Sequence, residues 1–108
     1  MIIMLKYSYD KRSDILYVYD EGESVKSSLD IFPGFVVDIN HSNRIVGLEI
    51  IDASELFNVP KSWIDDLKNM KLSTIMSNNY FGFIFSAIAK EKEITQQVSS
   101  PLKLSTRR

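Results

Sequence analysis

Phe35-Val36-Val37-Asp38-Ile39-Asn40-His41-Ser42-Asn43-Arg44-Ile45-Val46-Gly47-Leu48-Glu49-Ile50-Ile51 consists of two aliphatic, β-branched runs flanking a polar segment. Valine, isoleucine and phenylalanine suit a pleated, half-buried backbone. Asn40 to Asn43 supplies residues that tolerate positive φ, so the segment predicts a β-hairpin. With the two-residue strand period, Leu48 and Ile50 share one face with Val46, which sends Glu49 to the other face with Gly47 and Ile51. A lone hairpin is marginal in water. Further strands are therefore expected around it.

Toward the N-terminus, Pro33-Gly34 marks a tight turn before Phe35. The preceding run, Val25 to Ile31, carries apolar residues only at Val25, Leu29 and Ile31 and predicts an edge strand. Leu5, Tyr7 and Tyr9 alternate with Lys6, Ser8 and Asp10, the period of a half-buried strand. Turn formers from Asp10 to Ser13 join it to a second aromatic run, Ile15 to Tyr19, as a hairpin. Asp20 to Ser24 closes that run with a further turn.

Toward the C-terminus the period changes. Ala53, Leu56 and Phe57 fall at helical spacing, and Asp52 stands before Glu55 in an aspartate version of the capping box. Pro60 suits the first turn of a second helix in which Trp63, Ile64, Leu67 and Met70 form one stripe, so helix is expected to about Met70. Leu72 to Ser77, Tyr80 to Ala89 and Ile94 to Val98 then predict three strands, joined at Asn78-Asn79 and at Lys90 to Glu93. Phe81, Ile84, Phe85 and Ile88 also fit one helix over residues 80–98, but the alternation of Phe81, Phe83 and Phe85 and the excess of β-formers favour strands. The expected fold class is α+β: an N-terminal antiparallel meander of five strands, one or two short helices, and a C-terminal meander of three strands, in a single domain over residues 1–108.

The chain has 108 residues, 44% hydrophobic and 25% charged, which suits one hydrophobic core. Its formal net charge of −1 gives no field that would gather polyphosphates, so no nucleic-acid partner is expected. Without cysteine there are no disulfides, thiolate metal ligands or thiol nucleophiles. Met1 to Leu5 lacks a basic leader. No run approaches the ~20 apolar residues that span a bilayer. The expectation is therefore a cytoplasmic protein with no membrane partner.

Three pieces of the chain carry a family resemblance. They are the hairpin Tyr9 to Val18, with Tyr9-Asp10, Asp14 and Leu16-Tyr17; the strand Pro33 to Asp38; and the junction Ile45 to Ser54, with Gly47, Glu49 and Asp52-Ala53-Ser54. In order and spacing they resemble a prokaryotic domain-of-unknown-function family, number 2283. The loop Asn40 to Asn43 departs from the Asp-Gly-type turns of that family, and residues beyond Pro60 lie outside the pattern. The family brings no assigned activity. The proximity of some members to small toxin-like proteins implies an antitoxin-like role with a small protein partner.

Acids at strand ends or within apolar runs are the candidates for chemistry: Asp10, Asp14, Asp38, Glu49 and Asp52. Asp52 is accounted for by helix capping and Asp10 by its turn. Asp38 and Glu49 on neighbouring strands remain as a candidate acidic site, able to hold a hard cation or to split their pKa values if they converge. His41 has no partner histidine for a transition-metal or triad site. Ser54 lacks a nucleophile elbow and fits a helix start. Tyr7, Tyr9, Tyr17 and Tyr19 resemble a base-stacking platform, but Asp10, Asp14, Asp20 and Glu21 beside them would repel phosphate, which favours cross-strand packing. No catalytic residue, resident metal or cofactor is assigned.

The expected function is a non-catalytic interaction module, with a carboxylate-based, divalent-cation-dependent hydrolase using Asp38 and Glu49 as the alternative. What separates the two is whether the acids meet in a pocket or lie on an open sheet. The strand Tyr80 to Ala89 is apolar on both faces, with Phe81, Phe83 and Phe85 on one and Tyr80, Ile84 and Ile88 on the other. A homodimer formed through these residues is the expected cover.

Overall fold

The alternating runs of the first half form strands in a computed structural model that describes residues 5–101. These are β1 (Leu5–Asp10), β2 (Ile15–Asp20), β3 (Ser27–Phe32), β4 (Phe35–Ile39) and β5 (Ile45–Ile51). They make one antiparallel sheet of five strands in the order β1-β2-β5-β4-β3. Strands β3, β4 and β5 meander as expected, whereas the β1–β2 hairpin joins through β2 to the far side of β5. β3 is an edge strand, as its dilute pattern implied.

The central hairpin turn closes as its composition predicts. The Asn40 side-chain carbonyl accepts from the Ser42 and Arg44 amides at 2.9 and 3.0 Å, and Asn43 takes a φ of 62°. One residue departs from simple alternation. Pairing slips between Asp38 and Ile39, so Ile39 lies opposite Ile45, and Ile45 rather than Val46 joins the core cluster.

The helices are shorter than expected. Helix α1 spans Ala53–Phe57 and α2 spans Lys61–Ile64. Pro60 precedes α2 in extended conformation instead of lying in its first turn. Helix does not continue to Met70, because Leu67 already begins a strand, β6 (Leu67–Met76). Of that stripe, Ile64 and Leu67 are buried and Trp63 and Met70 pack partly buried against the core, so its helical spacing reflects burial on successive elements. A bulge between Lys68 and Lys71, with Asn69 at a φ of 53°, interrupts the period of β6 and hides its strand pattern. Among the described residues no helix is long and apolar enough to cross a membrane.

Strands β7 (Tyr80–Ala89) and β8 (Lys92–Pro101) complete a second antiparallel sheet, ordered β6-β7-β8. The strand assignment over residues 80–98 is therefore the one that holds. The two sheets pack face to face around one hydrophobic cluster. Phe83 sits edge-on to Phe32 and Phe35, with ring centroids 5.8 and 5.2 Å away. Phe57 of α1 reaches Phe85 at 6.2 Å.

This packing divides the residues expected together at an interface between copies. Phe81, Phe83 and Phe85 are buried inside the chain's own core, because the first sheet covers them. Tyr80, Ile84 and Ile88 project from the opposite face of β7, where Tyr80 and Ile84 are exposed. With β6 and β8 paired on its two sides, β7 has no free edge.

Candidate functional site

Two polar clusters grow from the strand register, one on each side of the first sheet. On the outer face β2 contributes Tyr17 and Tyr19, whose rings stack with centroids 5.1 Å apart. Tyr17 lies opposite Glu49 of β5, Tyr19 opposite Gly47, and Gly47 opposite Asp38 of β4. Asp38 and Glu49 are thus on one face of neighbouring strands, displaced diagonally by the pairing.

The Tyr17 hydroxyl donates across Gly47 to Asp38 Oδ2 at 2.6 Å, and the Ser28 hydroxyl donates to Asp38 Oδ1 at 2.6 Å. Gly47 makes the first bond sterically feasible. A Cβ there would stand 2.5 Å from Asp38 Oδ2 and 3.0 Å from the Tyr17 oxygen. Burial, followed by the bond to Asp38 and the nearby carboxylate charges, raises the Tyr17 pKa above its ordinary value, so the phenol keeps its proton and acts as a donor. Asp38 is engaged on both oxygens. Glu49 is half-buried and makes no hydrogen bond or ion pair among the described residues.

The acids therefore lie on an open sheet. The surface cleft of about 250 Å³ lined by Leu5, Met70, Lys71, Leu72 and Ser73 is elsewhere, beside β1 and β6. No group of three or more His, Asp or Glu side chains converges as a metal cage among the described residues. His41 is exposed in its turn.

The second cluster lies at the β2 and α1 ends of the first sheet and was not legible in the sequence. Asp14, at a φ of 58° and only 6% exposed, accepts from the Ser54 amide at 3.0 Å, from the Ser54 hydroxyl at 2.6 Å and from the Tyr9 hydroxyl at 2.6 Å. Its backbone carbonyl accepts from the Ala53 amide at 3.0 Å. Asp14 thereby caps α1 from 40 residues away. The capping box expected of Asp52 does not form: Asp52 is left-handed, with φ 54°, and its side chain makes no cap bond.

Burial works to raise the Asp14 pKa. The bonds from Ser54 and Tyr9, with the Lys61 charge, outweigh it and hold the carboxyl below the ordinary range. Tyr9, half-buried beside this carboxylate, is correspondingly raised. The Ser54 hydroxyl is committed to the Asp14 carboxylate, where it serves the cap of α1. This cluster is a clasp between the first hairpin and the strand-to-helix junction. Asp10 behaves as the turn residue expected, accepting from the Arg12 amide at 2.9 Å.

Both clusters lie within one family match. Residues 6–54 match the family described as protein of unknown function (DUF2283). The DUF2283 segment opens in β1 and ends on Ser54, the residue that Asp14 holds. Strands β6 to β8 lie outside it. Among curated proteins the chain is similar to a Methanosarcina mazei protein named "Putative hypoxanthine phosphoribosyltransferase", 36% identical over 69 residues, covering 64% of this chain and 53% of that protein. It is also similar to an uncharacterized protein of Methanocaldococcus jannaschii, 42% identical over 66 residues, covering 61% of this chain and 54% of that one. The chain thus spans about half the length of these relatives. No solved structure matches it.

Proposed function

We propose that this chain is a non-catalytic protein-binding module that holds a cationic segment of a partner on the outer face of its five-stranded sheet. The observation that supports this reading is the placement of Asp38 and Glu49 on the outer sheet face, away from the cleft beside β1 and β6 and next to the stacked rings of Tyr17 and Tyr19. A flat face suits a polypeptide, whereas a small substrate needs concave walls that exclude water. Carboxylates beside aromatic faces attract guanidinium and ammonium groups through charge and through the ring quadrupole. Asp38 is fixed in place by Tyr17 and Ser28, while Glu49 has an uncommitted carboxylate to offer.

The activity in the name of the Methanosarcina mazei relative does not suit this face. Phosphate-bearing substrates need cationic side chains or converging backbone amides, and this face presents acids. An antitoxin-like role, with a small protein as the partner, is one form the proposed function takes.

Peptides of equal length with basic, neutral and acidic composition test the reading by fluorescence anisotropy. The basic peptide is expected to bind best, weakening about tenfold on Glu49→Gln with Tyr19→Ser. Equal binding of neutral and basic peptides, or basic-peptide binding unchanged in that variant, would overturn it.

A further inference from the structure

We propose that β8 is a self-pairing edge, and that two copies of the chain join their second sheets antiparallel about a two-fold axis at Gln96. β8 is an outer strand of its sheet, bonded only to β7 among the described residues. An exposed strand edge is normally guarded by charge, bulge or proline. The opposite edge shows such guards: β6 carries a bulge between Lys68 and Lys71, with both lysines exposed. β8 has none along its middle. Its pairing with β7 runs from Lys92 to Pro101 without a register shift, and Ile94 to Ser100 contains no charged residue.

The occupant follows from parity and charge. Residues facing each other in an antiparallel pair share a sheet face. A two-fold axis at Gln96 meets that condition and sets Ile94 against the partner copy's Val98, both on the core side. On the outer side, Thr95 meets Gln97. The end charges fall on hydroxyls, with Lys92 opposite Ser100 and Glu93 opposite Ser99, so no like charges face one another. Pro101, which has no amide to donate, falls just beyond the paired stretch. Gln96 is half-buried and its amide makes no hydrogen bond among the described residues. On the axis, the two Gln96 amides face each other and can bond reciprocally. The strand is thus complementary to itself.

The test uses the full chain and does not depend on the cationic-partner reading. Light scattering after size exclusion, at tens of micromolar, should report twice the monomer mass. Thr95→Lys with Gln97→Lys alters only exposed side chains and sets lysine against lysine twice across the axis. It should weaken the dimer about tenfold while the circular dichroism of the fold stays unchanged. The matching Glu pair should do the same, and mixing the Lys and Glu variants should restore a dimer containing one of each. A monomeric wild type would overturn the proposal. So would a dimer that both double variants leave intact, which would place the contact on another surface, such as that of Tyr80 and Ile84.

Discussion

Phe83→Ala should cost about 3–5 kcal/mol of folding stability, the range for deleting a buried aromatic ring. Phe83 is fully buried, and its ring meets Phe32 edge-on at 5.8 Å and Phe35 at 5.2 Å. Removing it takes away transfer energy and two ring contacts, and leaves a cavity between sheets that cannot readily collapse onto it. Domains of this size are stable by roughly 0.05–0.15 kcal/mol per residue. The loss is therefore a large share of the whole. Urea unfolding should show a lowered midpoint with little change in slope. Because the contacts are within one chain, the difference from wild type should not depend on protein concentration. A loss under about 1 kcal/mol, below the usual range for a buried ring, would show that Phe83 does not join the two sheets.

Asp14→Ala should cost a comparable amount, about 3–4 kcal/mol, through orphaned donors and an alanine in left-handed backbone. Asp14 accepts from the Ser54 amide, the Ser54 hydroxyl and the Tyr9 hydroxyl in a site only 6% exposed. Asp14→Asn keeps the size, one acceptor oxygen and tolerance of positive φ, and should lose less. The pH dependence has a definite sign. The folded-state pKa of Asp14 is depressed below that of an ordinary carboxyl, so its contribution is complete above the ordinary carboxylate range and disappears as pH falls through the folded pKa. Thermal melts from about pH 7 down to about pH 2 should show an acid-side loss that is smaller in Asp14→Asn. An equally steep loss in that variant would assign the acid sensitivity to other carboxylates.

Asp14 and Glu49 mark how far the candidate site was legible. Glu49 could be placed because alternation along β5 sends its side chain away from Leu48 and Ile50, a local geometric fact. Its counterpart Asp38 could be placed on the same face through the hairpin. That Asp38 is held by Tyr17 and Ser28 could not, since those strands are neighbours only because β2 pairs with β5 and β3 with β4. Gly47 was the available signal: a glycine inside a strand often marks a close approach, here that of the Tyr17 hydroxyl to Asp38. For Asp14 there was no local signal beyond an acid in a turn, because its partner Ser54 is 40 residues on.

By itself, the sequence determined the strands with a clean two-residue period, the turns at Asn40 to Asn43 and Asn78-Asn79, and the α+β class. Each follows from backbone preferences and burial acting over a few residues. Only the tertiary structure decided the rest. The strand order depends on which edges bury the most apolar surface, so β5 lies between β2 and β4. The end of α2 and the start of β6 depend on Leu67 entering the core near Tyr7, whose oxygen accepts from the Leu67 amide at 3.1 Å. The two apolar faces of β7 were plain from the residues, but their covering was not. Once the first sheet packs on Phe81, Phe83 and Phe85, only Tyr80, Ile84 and Ile88 remain on the outside, because one core can cover one face of a sheet.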